Sequence, residues 1–252
     1  MSHVIAIINQ KGGVGKSTSA LALGTCLNRR GCKTLLIDLD AQGNLSYAMG
    51  IDNTTVSSFD LFTDLRGHSA IQKTDAGDLI AASPILATAD LAITQTGKEY
   101  RLQEALAPLV GIYDFIVLDT PPALGILTIN ALTAATGVII PAQADIFSLQ
   151  GIGQLHHSLD AVRKYTNPTL CILGILLTRY IARSVLSRDI AELLEETANQ
   201  LETRVFTTRI RETVTVRESQ ARRMGLFAYA GASGAALDYE NFTDEVLNLL
   251  RL

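Results

Sequence analysis

One eight-residue segment decides what this chain can fold into. Residues 11–18 read Lys-Gly-Gly-Val-Gly-Lys-Ser-Thr, directly after the apolar run Val4-Ile5-Ala6-Ile7-Ile8 and before apolar residues at helical spacing. A glycine-rich turn between a strand and a helix bares backbone N–H groups, and the helix N-terminus adds partial positive charge. The segment is therefore an anion cradle. The strand that delivers it and the helix that leaves it must pack together, which requires layered α/β structure.

The rest of the chain repeats that alternation. Apolar runs at 4–9, 33–39, 79–82, 115–118, 137–141, 170–177 and 205–210 predict strands, and helical patterns at 17–30, 101–110, 149–165, 186–201 and 239–250 lie between or beyond them. Strands that are apolar throughout belong to a mostly parallel sheet covered on both faces. The expected fold is one α/β domain over residues 1–252, a P-loop NTPase with a mostly parallel twisted sheet and helices on both faces. Its 252 residues, 48% hydrophobic and 18% charged, suffice for one sizeable core. Residues 52–69 form the least regular stretch and read as a surface excursion.

Cys26, Cys32 and Cys171 include no CxxC pair and no Cys/His cluster. They argue against a disulfide framework, zinc or iron–sulfur and read as small core residues. The N-terminal stretch lacks the basic and long apolar regions of a signal peptide. No run of about 18 apolar residues predicts a membrane span. The expected location is cytoplasmic.

The phosphate segment is not of the commonest form. A glycine would stand five residues before Gly15, where this chain has Gln10, and a second lysine, Lys11, precedes the glycines. Gly12, Gly13, Val14, Gly15 and Thr18 complete the cradle. Lys16 is placed for the β- and γ-phosphates and Ser17 for Mg²⁺. Asp119 ends the apolar run 115–118, where a carboxylate can hold Mg²⁺ through water. Asp38 and Asp40 stand two apart, so on an extended chain they face the same side.

Residues 11–18 resemble the deviant P-loop of the ParA/MinD family of ATPases. The resemblance covers nearly the whole chain. Leu36-Ile37-Asp38-Leu39-Asp40-Ala41-Gln42-Gly43-Asn44 is similar to the family's second motif, and Phe115-Ile116-Val117-Leu118-Asp119-Thr120-Pro121-Pro122 to its Walker B strand and switch. Pro141, Gln143, residues 147–151 and the last helix, residues 234–246, fit further blocks. The resemblance implies ATP and Mg²⁺ as cofactors and hydrolysis to ADP and phosphate. It also implies an ATP-bound homodimer in which Lys11 reaches the partner's phosphates in trans, Asp40 orients the attacking water, and Asp38 supports the metal held by Ser17 and Asp119. By family position alone, Thr178 and Arg211 are nucleotide contacts, although many relatives carry proline where Arg211 stands.

Three kinds of relative compete. An iron–sulfur reductase needs bridging cysteines, and none lies near Asp119. A MinD-like membrane ATPase needs a basic amphipathic C-terminal helix, whereas residues 244–252 carry two acids and one base. A short ParA-type partition ATPase fits better. Six arginines (Arg204, Arg209, Arg211, Arg217, Arg222, Arg223) face only Glu212 and Glu218 between 204 and 223, within a chain of net charge −4. Arginines of that density can hold DNA phosphates without reading sequence; Arg217, Arg222 and Arg223 are the expected DNA contacts. A first strand beginning at His3 leaves no room for an N-terminal helix-turn-helix, so DNA binding is expected to be non-specific. The resemblance further implies a ParB-like centromere-binding protein that stimulates hydrolysis, and no membrane partner.

Overall fold

The computed structural model describes residues 2–51, 55–63, 67–74 and 76–250. The apolar runs become β1 (His3–Ile7), β2 (Thr34–Asp38), β3 (Ile71–Gln72), β4 (Asp78–Ile80), β5 (Phe115–Asp119), β6 (Gly137–Gln143) and β7 (Cys171–Thr178). They form one sheet in the order β3-β4-β2-β5-β1-β6-β7. Only β3 runs antiparallel to its neighbour.

Helices α1 (Lys16–Arg29), α2 (Asn44–Ala48), α3 (Asp60–Thr63), α4 (Ala89–Ala92), α5 (Arg101–Leu106), α6 (Ile126–Ala134), α7 (Ile146–Tyr165), α8 (Val185–Gln200), α9 (Val214–Ala221), α10 (Leu226–Ala230) and α11 (Gly234–Leu249) connect and follow the strands. Side chains alternate along each strand, so each strand feeds two cores. Val4, Ala6, Leu35, Ile37, Ile116 and Leu118 pack toward α5, α6, α7 and α8. Ile5, Ile7, Leu36, Phe115 and Val117 pack toward α1 and α11. That two-sided burial explains why the strands read as unbroken apolar runs.

Four expectations change. Residues 205–210 are not a strand: only isolated bridges join Val205 to Ile175 and Arg211 to Tyr180. The ladder breaks because the N–H groups of Thr207 and Thr208 donate to the Glu245 carboxylate on α11 instead. The 52–69 stretch is not merely a surface excursion, because Leu61 and Phe62 on α3 are fully buried; residues 52–54 and 64–66 lie outside the described residues. Of the cysteines only Cys26 is core; Cys32 is half-buried in the turn after α1, and Cys171 is exposed at the start of edge strand β7. The 101–110 helix also ends early: α5 stops at Leu106, and a 3₁₀ turn containing Pro108 follows.

One register row places the chemistry. Asp38 pairs with Asp119 across β2 and β5, and Asp119 pairs with Ile7 across β5 and β1. Two carboxylates and the start of the glycine-rich loop therefore meet at the carboxyl ends of three adjacent parallel strands, where open α/β sheets bind ligands.

Candidate nucleotide site

The loop after β1 is tied to the strand ends around it. Asn9 donates through Nδ2 to the Pro141 carbonyl (2.7 Å), and its Oδ1 accepts the Lys11 N–H (2.9 Å). Gln143 donates to the Gly13 carbonyl (2.9 Å). The buried Thr178 hydroxyl donates to the Val14 carbonyl (2.7 Å). Gly13 and Gly15 take φ of 75° and 89°, the left-handed region that disfavours a side chain. A Cβ at Gly12 or Gly13 would meet nothing within 4 Å, so this backbone faces open space. Helix α1 begins at Lys16 with no acid in its first turn and no side-chain cap. Its free N–H groups suit an anion.

Behind the loop lies a buried acidic pair. Asp38 is held by the Ser46 N–H (2.9 Å), the Ser46 hydroxyl (2.7 Å) and the Asp40 N–H (3.1 Å). Burial nevertheless pushes its pKa up to about 6. Asp119 is fully buried, and neither carboxylate oxygen has a hydrogen-bond partner. Burial and then Asp38 hold its carboxyl well above the ordinary range; the nearby Ser17 hydroxyl and Lys16 favour the charged form but do not win. Burial lowers the Lys16 pKa, partly offset by Asp119 and Asp40. Lys16 Nζ donates to the Lys11 carbonyl at 3.2 Å.

These groups open into a cleft of about 550 Å³. Gly12, Gly13, Gly15, Lys16, Ser17, Thr18 and Asp40 line one side; Thr178, Arg211, Arg217 and Gln220 are among the residues lining the rest. Arg211 spans to Asp238 with two hydrogen bonds of 2.7 Å. Arg179 pairs with Glu212 at 2.6 Å. Lys11 does not line the cleft. Its Nζ lies 2.5 Å from Asp145 Oδ2, and the same carboxylate caps α7 by accepting the Ser148 N–H. Partial burial works against the charge on Asp145, but those hydrogen bonds and Lys11 hold its carboxyl below the ordinary range.

The arginine cluster is divided. Arg217 lines the cleft and lies 4.0 Å from Glu212. Arg222 packs over Tyr229 and Arg223 over Tyr47. Sequence reasoning missed Asp145, Asp238 and Gln220, whose Nε2 donates to Thr18. Each meets its partner over a long sequence separation, and no local pattern marks it.

Residues 2–172 match a family model described as an AAA domain. Over 98% of both chains the sequence is 37% identical to the sporulation initiation inhibitor protein Soj of Bacillus subtilis. It is 40% identical to the chromosome partitioning protein ParA of Myxococcus xanthus over 76% of this chain and 70% of that one. The chain is a ParA/MinD-family P-loop ATPase. Among solved structures, a cobyrinic acid a,c-diamide synthase from Mycobacterium smegmatis with bound ATP analogue and magnesium is 36% identical, with a TM-score of 0.86 over 100% of this chain and 96% of that one.

For a ParA/MinD-family member the cleft fits Mg²⁺ and a nucleotide. Asp119 offers two buried oxygens with no partner, Ser17 sits at the start of α1, and the loop backbone is open. Among the described residues no cluster of three or more His, Cys, Asp or Glu could hold a metal alone. Among the described residues no helix is long and apolar enough to cross a membrane.

Proposed function

We propose that this chain is a partition ATPase that hydrolyses ATP slowly within an ATP-bound homodimer. One observation carries the proposal: Lys16, Ser17 and Asp40 share a cleft with the orphaned Asp119 behind it, while Lys11 stands outside that cleft. The loop amides and Lys16 bind the phosphates. Ser17 and Asp119 hold Mg²⁺, which screens phosphate charge when bound, and Asp38 orders the strand end beside them. Asp40 accepts a proton from the attacking water and aligns it. Lys11 leaves Asp145 and meets the partner's phosphates, acting like an arginine finger in trans. Thr178 fixes the loop, and Arg211 stands in the wall across the cleft.

The DNA reading draws on the Myxococcus xanthus relative named for chromosome partitioning and on Arg217, Arg222 and Arg223. Two protomers bring two such sets to one duplex, so phosphate contacts add. A ParB-like centromere-binding protein is the proposed stimulating partner. The last helix argues against membrane anchoring, since Tyr239, Phe242 and Val246 are buried. Random-sequence DNA shifts and liposome co-sedimentation, each with and without ATP, test the proposal. DNA binding that needs ATP supports it. Liposome binding without DNA binding overturns it in favour of a MinD-like positioning role.

A further inference from the structure

Helix α6 follows directly on residues 120–125, the segment that leaves Asp119. Gly125 stands at its N-cap, no side chain of its own caps it, and its first turn holds no acid. The cap comes from α4. Asp90 Oδ1 accepts the Ile126 N–H at 2.7 Å. The carboxylate presses on Gly125 so closely that a Cβ there would lie 2.6 Å from Oδ2. A carboxylate at a helix N-terminus both satisfies a free N–H and complements the helix dipole.

The segment is fixed at its other end as well. The Thr120 hydroxyl donates to the Ile7 carbonyl at 2.8 Å, and Thr128 donates to the Ala123 carbonyl at 2.7 Å. Between them Pro121 and Pro122 restrict the backbone, and Pro122 lines the cleft. The stretch carrying Asp90 is itself seated, because Leu86, Ala89 and Ile93 are buried. It also reaches the second carboxylate: the Ala82 N–H donates to Ser46 Oγ, whose proton goes to Asp38. One excursion from β4 thus braces both acidic strand ends.

We propose, on the footing of the ATPase function above, that Asp90 is a positioning residue for hydrolysis. It fixes the far end of residues 120–125 and so sets Asp119 and Pro122 beside the phosphates. It touches no nucleotide. Its loss frees the start of α6 without dissolving the helix, which keeps Leu127, Asn130, Ala131 and Leu132 buried.

Hydrogen exchange on the full chain reads this directly. In Asp90→Ala, exchange at residues 122–128 should rise about tenfold or more, with residues 11–18 unchanged. Asp90→Asn keeps an acceptor oxygen and should restore most protection. ATP turnover in Asp90→Ala should fall about tenfold while ADP affinity stays within about twofold. Gly125→Ala drives its Cβ into the carboxylate. It should slow the wild type yet add nothing in the Asp90→Ala background. Wild-type exchange or turnover in Asp90→Ala overturns the proposal, as does independent addition of the two substitutions. A wild type that hydrolyses no ATP sinks the ATPase function itself, and the exchange contrast then decides whether Asp90 sets the segment.

Discussion

The two walls of the cleft are held by different forces. Residues 9–19 rest on short, largely buried hydrogen bonds from neutral side chains: Asn9 to Pro141, Gln143 to Gly13, Thr178 to Val14. The facing wall rests on charge pairs, Arg211 with Asp238 and Arg179 with Glu212, and Arg217 on that wall is 67% exposed. Neutral buried bonds are indifferent to salt, while exposed pairs are screened and individually weak. The phosphate wall is thus built in advance of its ligand. On the other wall Arg211 and Arg179 are held by paired hydrogen bonds, and Arg217, exposed and 4.0 Å from Glu212, is the arginine held loosely enough to trade partners.

Substitutions should sharpen that contrast. Lys16→Ala should weaken ATP binding at least about 100-fold, because it removes the cleft-lining lysine that the fixed wall offers the phosphates. Equilibrium binding of labelled ATP measures it, and wild-type affinity would break the phosphate assignment. Asp40→Ala should spare ATP binding, lower turnover at least about 50-fold and accumulate a dimer with ATP and Mg²⁺. Size-exclusion chromatography alongside turnover checks both; an ATP-loaded monomer counts against the role.

On the looser wall, a triple Arg217→Ala, Arg222→Ala, Arg223→Ala variant should keep basal turnover but weaken random-DNA binding about tenfold or more, with a shallower salt dependence. An unchanged affinity and salt slope would reduce those arginines to a solvated face.

The smallest effect concerns the acidic pair. Asp38 and Asp119 hold protons more tightly folded than unfolded. The folded state therefore binds the excess protons, and apo stability falls as pH rises from about 4 through the raised values. Asp119→Asn should raise the apo melting temperature at about pH 7.5 by a few degrees and soften its decline above about pH 5. A melting temperature equal to or below wild type throughout would mean the pair is compensated.

The same contrast governs what the sequence reveals. The phosphate wall is local: strand, glycines, Lys16 and helix are contiguous, and Asp38 and Asp119 each end an apolar run. Those features are legible without coordinates. The facing wall depends on Asp238, Glu212 and Gln220 meeting partners far along the chain. The 205–210 run misleads because its apolar and β-branched residues suit a strand, yet Glu245 captures two of its N–H groups. Leu61 and Phe62 sit in an irregular stretch too short to display a period, although the fold buries both. Lys11 was legible as a lysine without a use in an ordinary phosphate loop; its hold on Asp145 was not, since α7 reaches it from 134 residues away.

The central claim is that Lys11 completes the partner's site and not its own. Mixing two inactive variants, Lys11→Ala and Asp40→Ala, before ATP is added tests it. In a mixed dimer the Lys11→Ala protomer keeps Asp40 and receives Lys11 from its partner, so one site is whole. The mixture should regain turnover well above the sum of the two variants, approaching about half that of wild type per mixed dimer. Turnover no greater than that sum at every mixing ratio, with mixed dimers present, would contradict action in trans.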